Sequence, residues 1–290
     1  MKVLEDKGAY VELNKKGRKL TSKEVIDILQ DYDGVIAGTE LYTKEILRQI
    51  SNIKVISRLG VGMDNIDLEF AKSMDIKVYK SKTTPALSVV ELTLGLILDL
   101  LRKINQQNNQ LKTGVWNKQM GELLTNKTLG IVGMGNIGKQ LVKTLKGFNL
   151  NIIAHDLNQD ELFAKEYNIQ YAELDLLLQK SDIVSIHLNL TDETNRLFDY
   201  NTFKKMKKNA ILINASRGEI INEADLIKAL DEKLIRGVGL DVFEYEPYNG
   251  PLVNYDNVIL TPHIGAYAKE IRMKMELEAA ENLIEGFENG

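Results

Sequence analysis

The sequence predicts an α/β protein of two doubly wound parallel-sheet domains, the second inserted into the first. Short, continuously apolar runs alternate with amphipathic segments, as expected when strands are covered on both faces by helices. The alternation comes in two series, one before residue 85 and one from 127 to 263. Two long helical segments, 88–104 and 268–288, follow one series each.

Taken in order, Val35-Ile36-Ala37 and Lys54-Val55-Ile56 read as strands of the first series. The second series supplies Leu129 to Val132, Asn151 to Ala154, Ile183 to Ile186, Ala210 to Ile213, Gly237 to Leu240 and Val258 to Leu260. Helical periodicity fills Lys139 to Phe148, Leu174 to Gln179, Thr202 to Met206 and Glu223 to Asp231. The two long helices are expected to cross between the domains, so that the C-terminus completes the first. That places one domain at 1–88 plus 269–290 and the other at 89–268. A cleft between two lobes is a common position for a small-molecule site.

Composition narrows the function. Hydrophobic residues make up 44% of the 290, enough for two cores, and the formal charge is −4. A mildly acidic chain lacks the basic footprint of a nucleic-acid binder, and no nucleic-acid partner is expected. No cysteine is present. Disulfides, thiolate nucleophiles and cysteine metal sites are thereby excluded, no metal is expected, and a reducing cytoplasm fits. The start has no basic segment followed by an apolar run, so no leader is expected. The longest apolar stretch, Leu92 to Leu101, is interrupted by Thr93 and Asp99 and is too short for a membrane span.

The turn Gly133-Met134-Gly135-Asn136-Ile137-Gly138 follows a strand and opens a helix. Gly133 permits the tight turn, Gly135 lets backbone approach a pyrophosphate, and Gly138 allows close helix–strand packing. The helix N-terminus offers free N–H groups to phosphates. The next strand ends in Asp156, 18 residues after Gly138. A carboxylate there accepts ribose hydroxyls and repels a 2′-phosphate, which favours NAD over NADP on a Rossmann fold. His155 reads as an exposed neighbour.

A nicotinamide exchanges hydride with a substrate only if a base manages the hydroxyl proton. Three strand-end residues are candidates: His263 after Leu260-Thr261-Pro262, Arg217 in Asn214-Ala215-Ser216-Arg217-Gly218, and Glu246 in Asp241-Val242-Phe243-Glu244-Tyr245-Glu246-Pro247. The carboxyl ends of strands are where α/β sheets place ligands. A carboxylate beside His263 would fix its tautomer, and the Arg217 fork suits a carboxylate. Each alone has an ordinary structural reading, and spacing does not bring the three together.

The segment Ser57-Arg58-Leu59-Gly60-Val61-Gly62-Met63-Asp64-Asn65-Ile66-Asp67 resembles the substrate-carboxylate loop of the D-isomer-specific 2-hydroxyacid dehydrogenases. The segments 130–138, 214–218, 241–247 and 262–265 resemble that family's other signatures in order and spacing. The resemblance implies an NAD-dependent, phosphoglycerate dehydrogenase-like oxidoreductase interconverting a D-2-hydroxy acid and its 2-oxo acid. It implies that Arg217 binds and polarises the substrate, that His263 is the acid/base, and that Glu246 pairs with it. Backbone N–H groups of Leu59, Gly60, Val61 and Gly62 would hold the substrate carboxylate, with Arg58 assisting. Cofactor contacts would come from Asn136, Ile137, Asp156, His187, Leu188, Asn189, Thr194, Ala215, Asp241 and Gly265. His187 would lie beside the adenine without a chemical role, Trp116 would be a packing residue, and a homodimer through the nucleotide domain is implied.

Three departures bear on this. The family pattern opens with a strand and helix before the part matching Tyr10 to Leu13, whereas here Met1 falls near that helix's end; a truncated start or a smaller lobe is expected. Phosphoglycerate-oxidising members tend to carry Arg after the strand matching Val35-Ile36, where this chain has Ala37-Gly38-Thr39. Asn189 stands where Pro is frequent. Glyoxylate or hydroxypyruvate reduction and an NAD(H)-sensing co-repressor are the alternatives. Formate oxidation is disfavoured, because formate-oxidising relatives carry Gln where this chain has Glu246.

Overall fold

The computed structural model describes residues 2–289. Two compact units divide the chain. The first runs up to Pro85 and resumes at Tyr267; the second is the insertion Ala86–Ala266.

The first unit holds α1 (Lys2–Glu5), α2 (Ser22–Leu29), β1 (Gly34–Ala37), α3 (Lys44–Leu47), β2 (Val55–Arg58), α4 (Leu68–Ser73) and β3 (Lys77–Lys80). Its three strands are parallel in the order β1-β2-β3. Thr21 and Glu24 form a capping box that starts α2. Val25, Leu29, Tyr42, Leu47, Ile50 and Ile56 sit in one buried cluster on this sheet. Ala37 pairs in register with Arg58, and the Leu59 N–H donates to the Ala37 carbonyl at 2.8 Å. The loops that follow β1 and β2 therefore leave the same edge of the sheet.

The second unit opens with α5 (Ala86–Arg102) and α6 (Ile104–Lys112). Then β4 (Thr128–Val132), α7 (Asn136–Leu145), β5 (Asn151–His155), α8 (Glu161–Tyr167), β6 (Ile169–Tyr171), α9 (Leu174–Lys180) and β7 (Ile183–Ile186) alternate. They are followed by α10 (Tyr200–Lys205), β8 (Ile211–Asn214), α11 (Glu223–Asp231), β9 (Gly237–Leu240) and β10 (Val258–Leu260). The seven strands are parallel in the order β10-β9-β8-β7-β4-β5-β6. The order reverses beside β4, the topological switch point of a Rossmann fold. β7, β8 and β9 are buried at every residue, which is why their sequences are continuously apolar. Two core clusters serve this sheet. One gathers Leu96, Ile97 and Leu101 of α5 with Ile131, Leu141 and Ile213; the other includes Val184, Phe198, Phe203, Leu212 and Leu226.

The final helix, α12 (Lys269–Glu288), returns to the first unit. Its Ala280 and Leu283 pack with Val55 and Leu4, and Glu278 accepts the N–H groups of Lys82 and Thr83 at 2.7 and 3.0 Å. Of the two long helices expected to cross between domains, α5 thus packs with the second unit and α12 with the first. The divisions at Pro85 and Tyr267 lie a few residues from the expected 88 and 269, because the whole of α5 rides with the nucleotide-fold sheet. No helix among the described residues is long and apolar enough to cross a membrane.

Candidate active site

The nucleotide loop is built around Gly133. It stands at φ +99°, and a Cβ there would lie 2.6 Å from the His187 carbonyl oxygen. Only glycine fits so close to the end of β7. At Gly135 an added Cβ would meet nothing within 4 Å: the space above this backbone is open. Gly135 is also the N-cap of α7 and supplies no side-chain cap. The first N–H groups of that helix thus remain for an anion. Gly138 and Ile137 turn inward, and Asn136 is exposed.

Asp156 follows β5 and frames the loop. Its Oδ2 accepts the Met134 N–H at 2.6 Å and its Oδ1 accepts the Asn158 N–H at 2.8 Å. A carboxylate has about four acceptor positions, so two remain for hydroxyl donors. An NAD ribose fits this donor–acceptor set. His155 is half-buried rather than exposed, because its Nδ1 is held 3.0 Å from the Ala172 carbonyl oxygen. His187 follows β7; its N–H donates to Val132 and its Nε2 contacts the Ser185 hydroxyl at 2.9 Å. Burial lowers its pKa to about 4, so the ring is neutral. Leu188 packs partly against the core. The Thr194 hydroxyl donates to the Asn189 carbonyl at 2.7 Å, closing the loop after β7.

The loops after β8, β9 and β10 carry the three catalytic candidates. Asn214 shapes the first: its Oδ1 accepts Ser216 N–H and hydroxyl at 3.0 and 2.7 Å, and its Nδ2 donates to the Arg217 carbonyl at 2.8 Å. Ala215 is buried in this turn. The Arg217 side chain donates to the Ser216 carbonyl at 2.7 Å. Next to it, Gly218 is so close to Phe243 that a Cβ would lie 2.0 Å from its carbonyl carbon. The loops after β8 and β9 are therefore in direct contact. On the second of them, Glu246 accepts the Phe243 N–H at 3.3 Å and receives His263 Nδ1 at 3.0 and 2.9 Å on its two oxygens. The histidine and its carboxylate thus meet, a pairing that the resemblance implied and that spacing alone did not show.

His263 adopts φ +56°, a left-handed conformation that costs an ordinary residue about 1 kcal/mol or more. Surrounding hydrogen bonds hold it there. His263 N–H donates to the Asp241 carbonyl at 2.8 Å, and Ile264 and Gly265 N–H donate to the Asp241 carboxylate at 2.8 and 2.7 Å. The Gly265 carbonyl in turn accepts the Ser88 hydroxyl at 2.6 Å. Asp241 is 1% exposed. Burial pushes its pKa up; Thr261 and the two N–H groups oppose that.

In the first unit, Arg58 is buried. Its guanidinium donates to the Leu59 carbonyl and, through Nε, to Asn65 Oδ1 at 3.3 Å. Asn65 also donates to the Gly38 and Glu40 carbonyls at 3.2 and 2.6 Å. The arginine thus braces its own loop, Leu59 to Gly62, from beneath, and Gly60 stands at φ +151° above it. Sequence reasoning missed Asn65, Asn214 and Thr261. Only Asn214 left a signal, an Asn two residues before Ser in a turn. Trp116 was expected to pack, but it is 80% exposed in the chain.

Residues 94–265 match the family model described as "D-isomer specific 2-hydroxyacid dehydrogenase, NAD binding domain". The chain belongs to the D-isomer-specific 2-hydroxyacid dehydrogenases. It is 37% identical to a D-3-phosphoglycerate dehydrogenase of Methanocaldococcus jannaschii over 98% of this chain and 57% of that one. The chain thus spans just over half that relative's length. It is 39% identical to a glyoxylate reductase of Thermofilum pendens, over 90% of this chain and 80% of that protein. Among solved structures it resembles the D-lactate dehydrogenase of Aquifex aeolicus, complexed with NAD and lactic acid. That match has a TM-score of 0.81 and 28% identity, and it covers 94% of this chain and 86% of that one. Within this dehydrogenase family, the Rossmann unit described above is the NAD-binding domain.

Proposed function

We propose that the protein is an NAD-dependent dehydrogenase interconverting a small D-2-hydroxy acid and its 2-oxo acid. The carrying observation is the His263–Glu246 pair, 2.9 Å apart on the strand edge that also bears Arg217 and the Gly133–Gly138 loop. Glu246 occupies Nδ1, which leaves Nε2 as the atom that gives or takes the substrate proton. Arg217 binds the substrate carboxylate and polarises the C2 oxygen. The loop Leu59 to Gly62 holds the carboxylate through Val61 and Gly62, since the Leu59 and Gly60 N–H groups already donate to the Ala37 and Arg58 carbonyls, and Arg58 braces it. Bound NAD supplies the hydride acceptor, and NADH the donor. Residues Gly133, Gly135, Asn136, Ile137, Gly138 and Asp156 hold its phosphates and ribose; His187 to Asn189, Thr194, Ala215, Asp241 and Gly265 border it.

The substrate is unphosphorylated on this reading. The loop after β1 ends in Glu40, a half-buried carboxylate with no Lys or Arg nitrogen within 4.0 Å among the described residues. A carboxylate on this loop, where a phosphate would call for a cation, disfavours a second anionic group on the substrate. This favours glyoxylate or hydroxypyruvate over phosphohydroxypyruvate. A homodimer is part of the proposal: Ile104, Leu111, Val115, Trp116, Met120 and Leu123 are all exposed along α6 and the segment after it, and apolar side chains exposed together along one stretch suit a partner surface. A cytoplasmic location fits a chain without cysteine.

A panel of 2-oxo acids assayed with NADH tests the reading. The expected result is NADH consumption with a small unphosphorylated acid and a product of D configuration. NADH binding without turnover of any acid would instead establish the NAD(H)-sensing alternative.

A further inference from the structure

We propose that Thr261 is a positioning residue for the acid/base His263, acting through the Asp241 carboxylate. The inference rests on the dehydrogenase reading above and adds a residue that neither strand-end position nor motif had singled out.

Four donors converge on Asp241. Two are backbone N–H groups on its carboxylate, those of Ile264 and Gly265 at 2.8 and 2.7 Å, and a third, the His263 N–H, reaches its main-chain carbonyl at 2.8 Å while also donating to the Thr261 carbonyl at 3.0 Å. The fourth is the Thr261 hydroxyl, 2.6 Å from Oδ1. Pro262, between them, has no N–H to give. Every group facing the carboxylate is a donor, so Asp241 serves as an ionised acceptor in a site that is almost fully buried. Of its roughly four acceptor positions, Thr261 and Ile264 fill the two on Oδ1 and Gly265 fills one on Oδ2.

The arrangement fixes the His263 backbone in its left-handed conformation. The ring's reach to Glu246 depends on that backbone. The Thr261 hydroxyl hydrogen has one good acceptor: the alternative, the Leu240 carbonyl, is 3.5 Å away. Removing the hydroxyl leaves an Oδ1 position empty in a buried site, and the carboxylate then rotates or takes up a proton. Either response weakens its hold on Ile264 and Gly265 and loosens the His263 loop. A displacement of this kind at an acid/base acts on turnover more than on binding.

The experiment compares Thr261→Val with Thr261→Ser in the full chain. Valine keeps the shape and removes the donor; serine restores it. The expected result is a roughly ten- to hundred-fold lower kcat for the valine variant, with KM for NADH within about threefold of the parent. The serine variant should recover most of the loss. The ring resonances of His263 give a second readout that needs no turnover. With three histidines in the chain, they are assigned by difference against His263→Ala, and they should shift in the valine variant and return in the serine one. A folded valine variant with parental kcat and unmoved His263 resonances would overturn the proposal. Should the parent turn over no 2-oxo acid, the functional reading fails, and the resonances still decide whether Thr261 positions His263.

Discussion

The loops that follow β4 and β10 leave the same edge of one sheet but use their backbone N–H groups in opposite ways. After β10, the N–H groups of His263, Ile264 and Gly265 are all spent on Asp241. After β4, the cap of α7 is a bare glycine with open space above it. The first loop is closed on itself and holds a side chain, His263, in a conformation it would not choose alone. The second is tightly packed at Gly133 and has no side-chain cap at Gly135. A proton-transfer group needs its own position fixed before the substrate arrives, whereas an anion site needs donors still free when the anion arrives. On the proposed reading one sheet edge provides both: the loop after β10 spends three N–H groups on Asp241, whereas the loop after β4 gives the Met134 N–H to Asp156 and leaves the start of α7 without a side-chain cap.

The largest expected effect breaks the closed loop's function. His263→Ala should lower kcat by roughly a hundred- to ten-thousand-fold with NADH affinity close to the parent's, measured by fluorescence titration. Comparable losses of turnover and binding would show that the two loops are not functionally separate.

Next in size is Gly133→Ala in the open loop. The added Cβ would meet the His187 carbonyl at 2.6 Å at a φ of +99°, a position forced apart rather than filled. About 1–3 kcal/mol of stability should be lost, and NADH affinity should fall at least tenfold. Thermal unfolding with and without NADH checks both. An unchanged melting curve would mean that the turn is not constrained as described.

Asp156→Ala sharpens the role of the open loop's rim. It removes the acceptor left for a ribose and the negative charge that opposes a 2′-phosphate. The ratio of kcat/KM for NADH over NADPH should fall by roughly tenfold or more. A parent that uses both cofactors equally would remove the basis for assigning Asp156 this role.

The smallest effect concerns His187, behind the open loop. Burial holds its folded pKa at about 4, below the ordinary value of 6.5. The unfolded chain therefore binds more protons between those values, and stability must rise with pH across that window. Its contribution is complete above pH 6.5 and lost as pH falls towards 4. Chemical unfolding in the parent and in His187→Gln, followed across this range, should show a steeper acid loss in the parent. Identical slopes would contradict the neutral buried ring.

Much of this was legible in the sequence, and what was not has a physical pattern. The buried strands announced themselves by continuous apolar runs. The two strands left unread, β3 and β6, are edge strands of their sheets, and their mixed burial breaks the run. Helix α7 begins at Asn136 rather than at Lys139, since Gly138, needed for packing, hides the helical signal. His263, Glu246 and Arg217 were readable as strand-end residues, but the motifs of the resemblance, not their spacing, grouped them. The Asp241–Thr261 contact was not, because it joins residues 20 apart across two loops and leaves no local spacing to see. Trp116 carried a packing expectation that a single chain does not meet; its exposure is the kind of feature only a surface can show.

The central claim is that the two loops serve one reaction, hydride exchange on a 2-oxo acid with His263 managing the proton. The most direct test measures NADH binding and NADH consumption side by side, with glyoxylate and hydroxypyruvate, in the parent and in His263→Ala. The account predicts that both proteins bind NADH and that only the parent consumes it at a substantial rate. Equal consumption by the two would contradict the assignment of His263, and binding without consumption by the parent would contradict the reaction itself.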